Sequence, residues 1–250
     1  SLSLSLSQQM EFDLQQEIHT DLIPSLFLSE EDHMPSSFCF ATDAFTFRTQ
    51  TISLILQATP NVDVLLQYLA INYLDRFLSI HGVLQSKPWI MNLLAVSCVS
   101  LAAKMTKTAF LPAKTIERGN AFDASTLKKM EVVILDALKW RLRSITPFSF
   151  LHFFLSFLDV EDPALTEMVK ARAIKLITVS QKDFNMLEFK PSVITSTALT
   201  RACSEVSPEK LRSFTKSLSC CEFVSAESMQ QCFQVMQKIV PEDVTRSHTF

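Results

Sequence analysis

Apolar residues recur along most of the chain with the 3.6-residue period of an amphipathic α-helix. One such face repeats at positions i, i+4, i+7 and i+11 and consists of Leu66, Ala70, Tyr73 and Phe77. The segment 88–103 contains no charged residue and is apolar or small on nearly every face. A helix of that kind has to be surrounded by other helices, so this segment is predicted to be the centre of a bundle.

Proline and small polar residues divide these helical segments into two groups. Between the groups, Thr146 is a favourable N-cap and Pro147 suits the first position of a helix. The pattern predicts an all-α fold of two tandem five-helix bundles, with one short helix in the N-terminal tail. The predicted divisions are a tail at 1–45, bundles at 46–144 and 145–240, and a second tail at 241–250. Helices in the second bundle are predicted at 148–158, 163–184, 191–203, 208–217 and 226–239.

The composition argues against several classes of enzyme. Two glycines, Gly82 and Gly119, are too few and too far apart to form a phosphate-binding loop or a dinucleotide fingerprint. The six cysteines form no C-x-x-C pair, and the five histidines have no metal-ligand spacing. An all-α, metal-dependent enzyme would also need clustered aspartates on helices that face a cavity. We therefore predict no metal, no cofactor and no catalytic activity.

Charge and hydropathy argue against two classes of partner, nucleic acid and membrane. The formal net charge is −3, which gives no general attraction to nucleic acid. The only dense basic cluster is formed by Lys139, Arg141 and Arg143 around Trp140. No uncharged stretch in the middle of the chain reaches the roughly 18 to 20 apolar residues of a membrane span. We predict a soluble protein that binds neither nucleic acid nor membrane.

Several motifs, in one order along the chain, resemble a known family. The segment 68–79, with the sequence YLAINYLDRFLS, resembles the second helix of a cyclin box. The segment 101–105 resembles the end of the third box helix, and the segments 129–135 and 138–141 resemble the fifth. The segment 146–154, TPFSFLHFF, is similar to the entry into the second box of D-type cyclins. The chain is identified as resembling the cyclins, most closely those of the plant D type, so both bundles are expected to be cyclin boxes.

The resemblance assigns roles to five positions of the first box. It implies that Arg48 and Asp75 form an internal ion pair, and that Leu93 belongs to the core. It also implies that Lys104 and Glu131 bind the backbone of a kinase near its regulatory helix. Each of these two has a simpler interpretation: a lysine near a helix C-terminus often interacts only with the helix dipole, and Glu131 could be a solvated surface residue.

The chain also departs from the family pattern. Thr106 and Lys107 stand where the family usually has two acidic residues, beside the expected kinase contact. The substrate-docking groove of the family corresponds to Phe47, Thr51 and Leu54. A polar Thr51, and a leucine where tryptophan is customary, predict a weakened groove. The Leu-x-Cys-x-Glu sequence common in D-type cyclins does not occur.

The function implied by the resemblance is that of a regulatory subunit. It would bind and activate a cyclin-dependent serine/threonine kinase in cell-cycle progression at G1/S, with kinase inhibitors and substrates as further partners. Family resemblance places such a protein in the nucleus, with the cytoplasm as an additional alternative. The alternative is a cyclin-fold adaptor, or a protein similar to a transcription factor, that does not activate a kinase.

Overall fold

Ten α-helices and three 3₁₀ turns form the regular structure of the described residues. The computed structural model describes residues 22–35, 42–60, 62–82, 87–109, 122–158 and 162–240. The helices are α1 Ile23–Ser29, α2 Thr42–Ala58, α3 Val64–His81, α4 Pro88–Met105, α5 Ala124–Ala137, α6 Phe148–Leu155, α7 Pro163–Ser180, α8 Pro191–Val206, α9 Leu211–Leu218 and α10 Ala226–Ile239. The 3₁₀ turns are Glu30–His33, Phe184–Glu188 and Pro208–Lys210. The all-helical fold class predicted from the sequence is confirmed.

The first of two units comprises α2 to α5, and α4 is its central helix. Residues from His33 to Ser144 belong to this unit. Helix α4 packs against α2, α3 and α5, and nearly all its side chains from Met91 to Ala103 are buried. The all-round apolar pattern of 88–103 therefore corresponds to the centre of a bundle.

Capping residues explain where two helices of this unit begin. The Asp63 carboxylate accepts a hydrogen bond from the Leu65 N–H at the start of α3. The Asp123 carboxylate accepts one from the Thr126 N–H at the start of α5. Each satisfies a backbone donor that has no partner within the helix. The sequence also predicts that Asn61 caps the second helix of this unit and that a short helix forms at 111–117, and both positions lie outside the described residues.

The second unit comprises α1 and α6 to α10, and α8 is its central helix. Helix α8 packs against α6, α7, α9 and α10. Its buried side chains include several with hydroxyl groups, namely Ser192, Thr195, Ser196 and Thr197. The Thr195 hydroxyl lies 2.8 Å from the Pro191 carbonyl and that of Ser196 lies 3.1 Å from the Val193 carbonyl. Because a hydroxyl can bond to a carbonyl of its own helix, such residues can be buried without an external partner.

The short helix α1 and residues 30–32 of the turn that follows it belong to the second unit, although the rest of that unit begins more than 100 residues later in the sequence. Phe27 is buried against Phe150 of α6, with ring centroids 4.7 Å apart, and stacks on Phe223 at 4.5 Å. The buried Glu30 carboxylate accepts hydrogen bonds from the N–H and the hydroxyl of Ser192, at 2.9 and 2.8 Å. Glu30 therefore caps the N-terminus of the central helix from another part of the chain.

Glu30 provides a test based on pH. Burial raises the pKa of its carboxyl above the ordinary value, although the bonds from Ser192 and the charge of Lys190 oppose the shift. A raised pKa means that the carboxyl's contribution to stability is fully present below its unfolded pKa of about 4.5 and is lost as pH rises through the folded value. We expect the free energy of unfolding of the wild type to fall relative to Glu30→Gln between pH 4 and pH 7, measured by urea unfolding and circular dichroism.

The matched variant Glu30→Ala removes both hydrogen bonds to Ser192. It should lower the free energy of unfolding by about 1 to 2 kcal/mol at pH 4 and at pH 7. A Glu30→Gln variant less stable than the wild type at pH 7 by more than about 2 kcal/mol would contradict this expectation. It would mean that the attraction between the Glu30 charge and the helix N-terminus exceeds the cost of removing that charge from water.

Candidate functional site

Lys104 and Glu131 meet where the last turn of α4 packs against α5. The Lys104 Nζ atom lies 2.7 Å from Oε1 and 2.6 Å from Oε2 of Glu131. Ser100, one turn earlier on α4, donates its hydroxyl to the same Oε1 at 2.6 Å. We call these three residues the charged cluster. Ser100 was not identified from the sequence, because a serine in an apolar helix carries no distinguishing pattern.

The two charged residues of this cluster differ in their access to solvent. The Lys104 side chain is 60% exposed, whereas that of Glu131 is 9% exposed. An ammonium has three N–H donors, and two of them point to the carboxylate. The third remains for an acceptor outside the chain, such as a backbone carbonyl of a partner. The cluster therefore presents a cation whose position is set by a buried anion, and bonds to charged groups of this kind are the stronger ones.

Two exposed valines follow Glu131 along α5. Val132 and Val133 are 47% and 46% exposed. Successive residues of a helix project about 100° apart, so these side chains lie on other faces of α5 than the buried Glu131. The charged cluster is therefore described by its three polar residues alone. Nothing in the sequence pattern distinguishes the two valines.

Arg48 and Asp75 are also brought together, but in the interior of the first unit. The Arg48 Nε lies 2.7 Å from Oδ1 and its Nη2 lies 3.0 Å from Oδ2 of Asp75, and both side chains are 2% exposed. Burial raises the pKa of the Asp75 carboxyl, and the Arg48 guanidinium opposes that shift. This bidentate pair joins α2 to α3 and is not available to a partner.

The remaining predicted positions lie in or close to the interior. Leu93 is buried in α4. Phe47 and Thr51 are buried in α2, where the Thr51 hydroxyl bonds to the Phe47 carbonyl at 2.8 Å. Leu54 is half-buried against the core of the first unit. A docking groove on these three residues stays a prediction, and the structure exposes little of their side chains.

The positions that depart from the family pattern form the end of α4. Thr106 is the C-cap, and Lys107 adopts the left-handed conformation with φ of 54°. The Thr108 N–H bonds back to the Ala103 carbonyl at 2.9 Å, as in a Schellman motif. Lys107 occupies the position where such motifs favour glycine. It places an exposed cation near Lys104, where the family usually has acidic side chains.

The backbone of Lys107 gives a direct stability test. Lys107→Gly should raise the free energy of unfolding by about 1 kcal/mol, because glycine adopts a positive φ without the steric cost of a Cβ atom. The control is Lys128→Gly on the exposed face of α5, which should lower it by about 1 kcal/mol because glycine is unfavourable within a helix. Urea unfolding measures both. A decrease for Lys107→Gly would contradict the strained conformation.

The described residues contain no group of three or more His, Cys, Asp or Glu side chains that could hold a metal ion.

Helix α4 is long and apolar enough to span a membrane by length and composition, but 67% of its 18 residues are buried inside the protein. Its contacts with α2, α3 and α5 account for its apolar surface as the core of a bundle.

Comparison with known families matches both halves of the chain. The family model described as "Cyclin, N-terminal domain" matches residues 21–143, and "Cyclin, C-terminal domain" matches residues 145–249. The chain is 44% identical over 223 residues to putative cyclin-D6-1 of Arabidopsis thaliana, covering 86% of this chain and 74% of that protein. It is 39% identical over 241 residues to cyclin-D6-1 of Oryza sativa subsp. japonica, covering 91% and 74%.

Solved structures with the same fold are much less similar in sequence. A viral cyclin from herpesvirus saimiri superposes with a TM-score of 0.67 at 17% identity, covering 88% of this chain and 98% of that one. A chain of the CAK complex from Chaetomium thermophilum bound to ATP-gamma-S gives a TM-score of 0.63 at 14% identity, covering 94% and 76%. At these identities the likeness is one of fold.

Proposed function

The chain belongs to the cyclin family and resembles its plant D-type members, and we propose that it binds and activates a cyclin-dependent serine/threonine kinase. It acts as a non-catalytic regulatory subunit in cell-cycle progression at G1/S. Kinase inhibitors and substrates of the kinase are further partners. The complex resides in the nucleus and also in the cytoplasm, a proposal that rests on the family alone.

The observation that carries this proposal is the charged cluster at the end of α4. Lys104 is held by Glu131, whose carboxylate also accepts a hydrogen bond from Ser100, before any partner binds, so less side-chain entropy remains to be lost at the interface. Its side chain is 60% exposed, so the ammonium is accessible to a partner. A kinase would place a backbone carbonyl on Lys104 as a hydrogen-bond acceptor.

Activation follows from binding energy alone. Protein kinases require a Lys–Glu ion pair between a strand and a regulatory helix, and an ordered activation loop, before phosphoryl transfer. A subunit that binds the regulatory helix in its inward position shifts the kinase population to the active state. An interface of signalling type buries about 2,000 Å² or more in total. The subunit contributes no catalytic group to the reaction.

The direct experiment is capture followed by a kinase assay. The purified chain is mixed with plant cyclin-dependent kinases, the retained complex is isolated, and phosphorylation of histone H1 and of a retinoblastoma-type substrate is measured. We expect a 1:1 complex whose activity exceeds that of the kinase alone by a factor of at least ten. A folded chain that captures no kinase would overturn the proposal.

An adaptor that binds a kinase without activating it is the second candidate. Lys107 favours it, because a cation stands where the family usually presents acidic groups to the partner. The capture experiment separates the two candidates, since an adaptor would give a complex with the activity of the free kinase.

A further inference from the structure

An exposed tryptophan stands among basic residues just after α5. Trp140 is 67% exposed, and Lys139, Arg141 and Arg143 are exposed around it. The half-buried Leu142 packs against the core of the first unit. We call residues 139–143 the Trp140 segment. The activation mechanism proposed above makes no use of it.

The backbone of this segment is strained. Lys139 and Trp140 have φ of 50° and 59°, so two consecutive residues with side chains occupy the left-handed region. Each costs about 1 to 2 kcal/mol relative to the right-handed conformation. Strain of this kind persists only where the surroundings impose it, and it often accompanies a functional role.

Two side chains of α3 hydrogen-bond to residues on either side of Lys139 and Trp140. The buried Arg76 donates from Nη1 to the Arg141 carbonyl at 2.9 Å and to the Ser144 hydroxyl at 3.0 Å, and its Nη2 lies 3.5 Å from the Leu138 carbonyl. The Tyr73 hydroxyl donates to the Leu142 carbonyl at 2.6 Å. These bonds hold the Leu138, Arg141 and Leu142 carbonyls and the Ser144 hydroxyl, which lie on both sides of Trp140.

The chemistry of the surface defines its ligand. Tryptophan and arginine are the residues most often found at energetic hot spots of protein interfaces. Asp136 is the one acidic residue within 136–144, against three cations. Three cations are few for nucleic acid, since a protein that neutralises about six to ten phosphates needs more basic groups, and the chain has a net charge of −3.

We propose that the Trp140 segment is a docking site for an acidic peptide of a protein partner. A large apolar side chain of the peptide packs on the Trp140 indole, and its carboxylates pair with Lys139, Arg141 and Arg143. The site lies just beyond the C-terminus of α5, whereas Glu131 of the charged cluster lies near the middle of that helix. Ala137, the last residue of α5, is about 9 Å beyond Glu131 along the helix axis, and Trp140 follows it. A peptide bound there leaves Lys104 accessible.

The test is a selection from random 12-residue peptides displayed on phage, with the folded full chain as bait. We expect the enriched peptides to carry net negative charge and at least one large apolar residue. Synthetic versions, measured by fluorescence anisotropy, should bind at least tenfold more weakly to Trp140→Ala and to Lys139→Gln/Arg141→Gln/Arg143→Gln. Increasing salt should weaken binding to the wild type.

Matched controls separate this site from general effects. Trp89→Ala removes the other tryptophan, which is 48% exposed, and Lys175→Gln/Arg212→Gln/Lys216→Gln removes three exposed cations elsewhere. Both should bind the peptides like the wild type. Circular dichroism establishes that each variant is folded, and kinase capture by Trp140→Ala should equal that of the wild type.

Three results would overturn the proposal. These are no enrichment of acidic peptides, equal binding by Trp140→Ala and the wild type, or a single-stranded oligonucleotide (dT)15 that binds the segment more tightly than any selected peptide. Absence of peptide binding would not affect the proposal that the charged cluster captures a kinase. Absence of kinase capture would likewise not affect the proposal that the Trp140 segment binds a peptide, so the two proposals are tested separately.

Discussion

Replacement of Lys104 and Glu131 together by alanine is expected to abolish kinase capture while the chain remains folded. Loss of a hydrogen-bonded charge at a buried interface costs about 2 to 5 kcal/mol, which is roughly 30-fold to several thousandfold in affinity. The fold should tolerate the change, because the Lys104 side chain is 60% exposed and no buried charge is left unpaired. Titration of a labelled kinase measures the affinity, and urea unfolding measures the stability.

The control for this variant is Glu167→Ala/Lys170→Ala. It removes the same two residue types from an ion pair of the second unit, with a distance of 3.1 Å, and should capture kinase like the wild type. Glu131→Gln keeps an acceptor for Ser100 and Lys104, and its affinity should lie between those of the wild type and the double variant. Equal capture by the double variant and the wild type would mean that Lys104 and Glu131 only stabilise the contact between α4 and α5.

Replacement of Asp75 by alanine is expected to destabilise the first unit by about 3 to 5 kcal/mol. The change leaves the Arg48 guanidinium buried without its bidentate partner, and an uncompensated buried charge is strongly destabilising. Arg48→Ala leaves the Asp75 carboxylate in the same situation. Tryptophan fluorescence during urea unfolding reports on this unit, because Trp89 and Trp140 both lie within it.

The double variant Arg48→Met/Asp75→Leu decides whether the effect comes from the unpaired charge. Two apolar side chains of similar size leave nothing charged in the interior, so the double variant should be more stable than either single alanine variant. Glu167→Ala/Lys170→Ala again serves as the control and should leave the fluorescence transition unchanged. A loss of less than about 1 kcal/mol in Asp75→Ala would contradict a structural role for the pair.

The helices were predictable because the information that forms them is local. An apolar period of 3.6 residues and a capping residue act over one or two turns, so the bounds of α10 agree with the prediction at 226–239. The predicted helix at 163–184 was too long, because α7 ends at Ser180 and a separate 3₁₀ turn follows at Phe184–Glu188. The predicted helix at 208–217 is likewise a 3₁₀ turn followed by α9.

The helical class, the central position of α4 and, through ordered motifs, the resemblance to the cyclins all follow from the sequence alone. The bond from Lys104 to Glu131, 27 residues away, and the bond from Ser100 to the same carboxylate are visible only in the folded chain. The same is true of Glu30, which caps a helix 162 residues later, and of Arg76, which bonds to backbone carbonyls on both sides of Trp140. These contacts cannot be read from one segment because a side chain's partner across a bundle depends on how whole helices pack against one another. No period or spacing within one segment carries that information.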